Sequence, residues 1–434
     1  MTRTSSSAGG RAAPGRESVA VVGSGVSGLT AAYLLRWQYD VTLYEADGRL
    51  GGHAHTHQVR DRAGSTLAVD SGFIVHNDRT YPYLRRLFSE LGVATRPTEM
   101  SMSIRDERTG LEYAGGRGLK GIFGQPRRVV DPRLLSVLAQ VRRFHTRASR
   151  FLAETGDEDL TSFGGFLADE GFSADFRDLY AVPVVSCVWS TGTHTALEYP
   201  ARYLFRFLEH HGMLSVTGSP RWYTVLGGSR SYVEAIRDRL EDVLTRRRVT
   251  SVLREPEGVL VVDDSGSSRR FDRVVVATHA DQALDLLGDP SPEEKEVLGA
   301  FRYTRNETVL HTDDTLLPRA RQTRASWNYL TRPAYDGDAP PVVTYWMNRL
   351  QGLDSPEQYL VTLNARHRVH PDKVLAAMDY DHPVYDAPAV AAQGRLASLT
   401  TPQTAFAGAY HGWGFHEDGC RSGVEAARAF GVIW

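Results

Sequence analysis

Cysteine is nearly missing from this chain. Two in 434 residues, Cys187 and Cys420, are too few for a disulfide framework and suit a reducing compartment. Lysine is scarcer still for so long a sequence, with Lys120, Lys295 and Lys373 the only three. Net charge is close to balance at −2, so the broad basic face that nucleic acid requires is not there. No apolar run reaches the length of about 18 residues that a membrane-spanning helix needs. Met1 to Ser18 is rich in Ser, Gly, Ala and Arg without an apolar core, which excludes a secretory signal and predicts a disordered tail over 1–17. What is present in quantity is apolar side chains, 41% of the total, enough for two domains of ordinary size.

The informative stretch runs from Val19 to His53. A short apolar run, Val19 to Val22, leads into Gly23, Gly25 and Gly28 in the spacing G-x-G-x-x-G. A helical segment follows, then a second strand-like run, Val41 to Tyr44, ending in Glu45. Gly23 permits the tight strand-to-helix turn, Gly25 lets a pyrophosphate approach the backbone, and Gly28 lets the helix pack closely. The helix start offers free N–H groups and a positive dipole end to phosphate. Glu45 lies 22 residues after Gly23, near the distance expected of the acid that bonds an adenosine ribose. Ser24, Val26 and Ser27 within the turn, and Ala46 beside the acid, belong to the same candidate dinucleotide site.

Directly after that unit comes ArgLeuGlyGly, Arg49 to Gly52. With it the chain resembles the flavin amine oxidase superfamily, which includes phytoene-type desaturases and carries an E-x-x-x-R-x-G-G extension at this point. ValAspSerGlyPhe (69–73) is similar to the family segment that passes the flavin ring. GlyGlySer (227–229) and PheAspArgValValValAlaThr (271–278) are similar to its return to the cofactor domain. PheAlaGlyAlaTyr (406–410) with GlyPheHisGluAspGly (414–419) is similar to its C-terminal flavin motif. Within the superfamily the chain most resembles a bacterial branch of FAD-binding oxidoreductases discussed with cyclopropane-type fatty-acid modification. The resemblance implies FAD. It adds Arg49, Gly51, Gly52, His53, Gly72, Phe73, Val249, Ala277, Gly408, Phe415 and His416 to the expected cofactor contacts. No cysteine falls where some amine oxidases link their flavin, so the expected FAD is non-covalent.

The implied fold is α/β: a discontinuous Rossmann-like FAD-binding domain from residues 18–78, 215–290 and 398–434, with an inserted α+β substrate domain from 79–214 and 291–397. By pattern the first insert is mainly helical, and the second holds strands such as Glu307 to Thr312 and Val342 to Trp346. A helix over Glu417 to Phe430 would aim its positive end at the flavin.

The resemblance also carries departures. The amine oxidase lysine that holds water at the flavin should fall near Glu307 or Thr308, where no lysine stands. One aromatic-cage tyrosine is replaced by Phe415, and the other should lie between Tyr380 and Tyr385. The expected substrate is therefore hydrophobic and lipid-like, oxidised or desaturated by hydride loss from carbon, with no catalytic residue assigned beyond the flavin. A double-bond isomerase, an amine oxidase and a non-catalytic flavoprotein are the alternatives. His76, Tyr345, Tyr380, Trp413 and Phe415 are expected to line the substrate pocket, with Trp327 and Trp346 as further candidates for an apolar wall. His53, His55 and His57 form H-x-H-x-H, which would share one side of a strand. No carboxylate or cysteine completes a ligand set, so no metal is expected. His279 reads as a helix-start residue. Arg127 to Arg150 holds seven arginines against one acid, Asp131, with Leu134, Leu138, Val141 and Phe144 at helical spacing. That basic amphipathic pattern makes residues 118–150 a candidate for peripheral membrane contact by an otherwise cytoplasmic enzyme.

Overall fold

The computed structural model describes residues 15–215, 218–332 and 340–434, so most of the expected disordered tail lies outside the described residues. The first βαβ unit forms as its pattern requires: β1 (Ser18–Val22), α1 (Val26–Leu35) and β2 (Asp40–Tyr44). Five short parallel strands make the central sheet, in the order Asp242–Leu244, β2, β1, Arg273–Val276, Thr404–Phe406. Alternate side chains fill opposite faces. Val19, Val21, Leu43, Val275 and Ala405 pack with α1 and the C-terminal helix, while Ala20, Val22, Val274, Val276 and Phe406 enter a second core. Burial on both faces explains why these strands read as unbroken apolar runs.

In the segment 215–290 the pattern predicts strands at Val249–Leu253, Val259–Asp263 and Arg273–Ala277, and all three form, but not in one sheet. Val249–Glu255, Gly258–Asp263 and Ser268–Phe271 form a separate antiparallel meander against the second core. Of that stretch only Arg273–Val276 enters the central sheet, together with the unexpected three-residue strand Asp242–Leu244.

The second large unit is a seven-stranded mixed sheet, ordered Val374–Val384, Arg302–His311, Leu360–Leu363, Val342–Trp346, Trp327–Thr331, Met102–Asp106, Glu112–Gly115. Helices from 132–210 cover it through a core built on Phe144, Phe163, Phe166, Phe176 and Phe205. The segment 79–214 is mainly helical, as its pattern predicts, with three short strands added. Met102–Asp106 forms a hairpin with Glu112–Gly115 and pairs in parallel with Trp327–Thr331, and Thr95–Thr98 pairs with Trp222–Val225. Trp327–Thr331 and Trp222–Val225 lie more than a hundred residues away, beyond the reach of any local window.

A buried carboxylate fastens the two units. Asp70 ends the Thr66–Asp70 strand and accepts from Thr56 Oγ1 (2.6 Å), Ser229 Oγ (2.7 Å), Ser229 N (3.0 Å) and Gln351 Nε2 (2.8 Å). Ser229 starts a helix packed on α1, and Gln351 ends a short helix of the mixed-sheet unit. Among the described residues no helix is long and apolar enough to cross a membrane.

Candidate active site

Gly23, Ala277 and Ala407–Gly408 follow directly on the C-terminal ends of three adjacent strands, which brings them to one edge of the central sheet. At that edge Gly23 adopts φ +100°, and a Cβ there would sit 2.7 Å from the Ala277 carbonyl oxygen. A Cβ on Gly28 would lie 1.9 Å from the Gly23 carbonyl oxygen, so this position sets how closely α1 lies on β1. Gly25 differs from both. Its φ of −63° suits any residue, and a Cβ would meet nothing within 4 Å. The protein leaves that space free at the start of a helix with no side-chain cap and no acid in its first turn. Such a terminus keeps its N–H groups and dipole for an external anion.

The surrounding side chains fit the same ligand. Glu45 turns toward the loop, accepting from Ser24 N (3.1 Å) and Oγ (2.5 Å) at one oxygen and Asp47 N (2.8 Å) at the other. Ala46 is exposed beside it. Arg49 Nη1 and His53 Nε2 are buried with no protein partner, the mark of donors reserved for a ligand. Gly51 N donates to the Ser24 carbonyl (3.0 Å), and Gly52 lies against Gly25, which holds both residues at the loop. Val26 and Ser27 are themselves packed under the C-terminal helix, His416–Ala429. A Cβ on Gly423 of that helix would lie 2.4 Å from the Ser27 carbonyl oxygen, and this close crossing brings the starts of both helices to one edge. Val249 is buried at the head of the meander.

Beyond the loop the site turns aromatic. Phe73 stacks on His416 at 3.8 Å between centroids, and burial drives the His416 imidazole down to about 3, so it is neutral. Phe415 stacks on Phe207 (5.0 Å) and meets the edge of Trp189 (6.4 Å), whose indole N–H donates to the Trp413 carbonyl (2.9 Å). Tyr345 and Trp327 pair edge-to-face at 5.3 Å, and all of these rings join the core of the helical insert. Trp413 and Phe415 meet at Phe207, 5.9 and 5.0 Å from its ring, whereas Tyr345 contacts Trp327 on the mixed sheet.

Tyr380 sits elsewhere. Its hydroxyl is hydrogen-bonded to Ser71 Oγ (2.7 Å) and His55 Nδ1 (3.0 Å), and Ser71 to His57 Nε2 (2.8 Å). Its ring lies 4.9 Å from that of His53, which also faces His382 (5.4 Å) and His279 (6.4 Å). Burial holds this histidine group neutral: His53 falls well below its usual value, His55 to about 3 and His382 to about 4.

Three expectations are corrected here. His76 does not reach the pocket wall, because it packs among Tyr223, Phe88 and Tyr81 in the core beneath the small sheet. Trp346 alternates away from Tyr345 along the strand and donates outward to Gln358 (2.8 Å). The H-x-H-x-H side chains do not share one side of a strand. Only His57 lies in the Thr56–Arg60 strand, stacked with His55 at 4.0 Å, while His53 belongs to the preceding turn. Among the described residues no three His, Cys, Asp or Glu are grouped to hold a metal. His279 is the residue before the Ala280–Leu286 helix, stacked on Tyr303 at 4.4 Å. Residue order named Tyr380 and His55 without their bonds to each other and to Ser71, and it missed His382, Trp189 and Phe207. These join the site through strand register and helix packing, which leave no local signal.

A family model described as flavin containing amine oxidoreductase matches residues 26–430. The chain belongs to that family. Membership makes it a flavin oxidoreductase with FAD as its cofactor, and the open Gly25 turn and the unpartnered Arg49 and His53 donors fit that group. Cys187 and Cys420 are both free and buried in packed helices. Among solved structures, a fatty acid isomerase producing CLA from P. acnes superposes with a TM-score of 0.69 at 18% identity, covering 96% of this chain and 99% of that one. Cyclohexylamine oxidase from Brevibacterium oxydans IH-35A gives 0.68 at 17% identity, covering 96% and 98%. A putative protoporphyrinogen oxidase from Exiguobacterium sp. 255-15 gives 0.64 at 15%, covering 95% and 98%. These likenesses establish the fold; no curated protein sequence matches.

Proposed function

We propose that the protein desaturates a hydrophobic, lipid-like substrate: one carbon loses a hydride, which bound FAD would accept, the adjacent carbon loses a proton to solvent, and a double bond forms between them. One observation carries this reading: the candidate pocket wall is apolar and aromatic, and the position of the amine oxidase lysine holds no cation. Of the two residues at that position, Glu307 is an acid and Thr308 is buried, its hydroxyl donating to the Asn306 carbonyl at 3.2 Å. The three lysines are elsewhere: Lys120 and Lys295 are exposed on other helices, and Lys373 pairs with Asp313 at 3.1 Å.

Bound FAD supplies the hydride acceptor. The chain's part is to hold an alkyl segment against it and keep water out. Helix Ala201–His210 presents Phe207 to Phe415, and its neighbour Leu208 lines an apolar cavity with Phe144, Tyr180, Val184, Val185 and Met213. The cavity is small, about 30 Å³, and its apolar lining shows that the surroundings of this wall are oily, a setting in which each buried CH₂ of a substrate contributes about 0.8 kcal/mol. An amine would need orientation that Phe415 and Thr308 do not supply. Such a substrate resides in membranes, so we place the enzyme in the cytoplasm with peripheral membrane contact through residues 118–150.

Anaerobic stopped-flow against acyl and amine panels tests the reading. Bleaching of the oxidised flavin by a long-chain acyl compound, with no response to small amines, is the expected outcome. Rapid bleaching by benzylamine or a polyamine, and by no acyl compound, would overturn it. Double-bond isomerisation is the second reading, favoured by the likeness to the P. acnes isomerase. It would convert substrate without net consumption of an electron acceptor.

A further inference from the structure

Among the described residues nine large apolar side chains are exposed, and four of them fall between positions 119 and 135: Leu119 (72% exposed), Val129 (40%), Val130 (80%) and Leu135 (45%). They lie on the short helix Gly118–Ile122, the turn after Pro126–Arg128 and the first turn of helix Pro132–Glu154. Ordinary surfaces scatter such residues singly. Here they are crowded, and cations surround them.

Lys120 and Arg127 are exposed, with no carboxylate partner among the described residues. The segment 319–324 adds to the same surface. The backbone N–H groups of Arg319 and Ala320 donate to Glu112 (2.9 and 2.8 Å), seven residues before Leu119, and Thr323 touches Gly124. Arg319 and Arg321 are exposed there and likewise without an acid partner. The nearby acids are already committed: Asp131 to Arg128 at 2.9 Å, Asp314 to Arg324 at 3.4 Å, and Glu112 in burial. Helix Pro132–Glu154 extends the basic character through exposed Arg142, while Phe144 on its inner side lines the apolar cavity.

We infer that this face docks on an anionic phospholipid surface, with Leu119 and Val130 entering the headgroup boundary and Lys120, Arg127, Arg319 and Arg321 meeting lipid phosphates. The inference deepens the reading of a lipid-like substrate and rests on it for its purpose. Charge complementarity selects the occupant. A protein partner for an apolar patch would not call for a ring of unpaired cations, whereas an anionic bilayer needs both features at once.

The test is co-sedimentation of the FAD-loaded enzyme with phosphatidylcholine vesicles, and with vesicles carrying one quarter phosphatidylglycerol. The wild type should bind the anionic vesicles and lose most binding at about 0.5 M salt, where the Debye length falls to a few ångströms. Lys120→Glu/Arg127→Glu/Arg321→Glu should weaken partitioning about a hundredfold, at roughly fivefold for each cation removed. Leu119→Ser/Val130→Ser should weaken it at least about tenfold. Ile433→Ser, at an exposed apolar residue outside this segment, should change nothing. Retained flavin absorbance and melting temperature show that each variant is folded. Wild type that stays in the supernatant, variants that bind like wild type, or equal retention on RNA would each overturn the inference. Flavin reduction by micelle-free acyl compounds is scored separately. Acyl turnover without vesicle binding removes the docking surface alone, and vesicle binding without acyl turnover removes the substrate reading.

Discussion

Replacing Gly25 and Gly28 one at a time by alanine should separate cofactor binding from folding, although the two lie three residues apart. At Gly28 the new Cβ would lie 1.9 Å from the Gly23 carbonyl oxygen, a backbone atom that cannot swing aside. Helix α1 must then lift from β1, and overpacking of this kind costs about 1–3 kcal/mol. At Gly25 the φ of −63° accepts alanine and nothing stands within 4 Å, so apoprotein stability should change by less than about 0.5 kcal/mol. The methyl group instead enters the space at the uncapped start of α1. Losing two backbone N–H bonds to phosphate, at about 1.5–3 kcal/mol each, removes at least about 3 kcal/mol of binding. That raises the Kd for FAD a hundredfold or more. The assay is melting of the flavin-stripped proteins followed by titration with FAD, read by quenching of flavin fluorescence. Gly25→Ala should melt like wild type yet fail to bind, and Gly28→Ala should melt lower. A Gly25→Ala protein with wild-type affinity would refute the assignment of that space to the pyrophosphate.

Glu45→Ala should weaken FAD retention at least about tenfold, since the carboxylate is lost as ribose acceptor and as the partner that orders Ser24; unchanged occupancy after dialysis would show the βαβ unit is misread. Glu417 accepts the Tyr83 and Leu84 N–H groups (both 2.9 Å), and burial raises its carboxyl to about 7. A raised carboxyl favours the folded state most below about pH 4, and that contribution is lost as pH rises through 7. Asp418, raised to about 6 by burial, acts in the same direction. Urea titrations should therefore show stability falling between about pH 4 and 7, by on the order of 3 kcal/mol from Glu417 alone. Glu417→Gln should flatten that slope, and an unaltered slope in the variant would assign the dependence to other groups.

The sequence by itself determined the cofactor half of this protein. The turn at Gly23, the helix after it and the acid at Glu45 are fixed by local rules, because a tight turn, a helix start and a strand end each act over a few residues. Tertiary structure decided the rest. His53, His55 and His57 look alike in sequence, yet pairing of Thr56–Arg60 with Thr66–Asp70 leaves His53 behind in a turn facing His382. His76 looked available and is core, because a two-residue strand places it against Tyr223. Met102–Asp106 forms a local hairpin with Glu112–Gly115, and its parallel pairing with Trp327–Thr331, far away in the chain, is what carries that hairpin into the mixed sheet. The aromatic contacts join Trp189, Phe207 and Phe415 from three separate stretches of chain. Positions that one element sets alone are legible in order of residues. Positions set by which elements meet depend on long-range pairing and packing, and only the folded chain decides them.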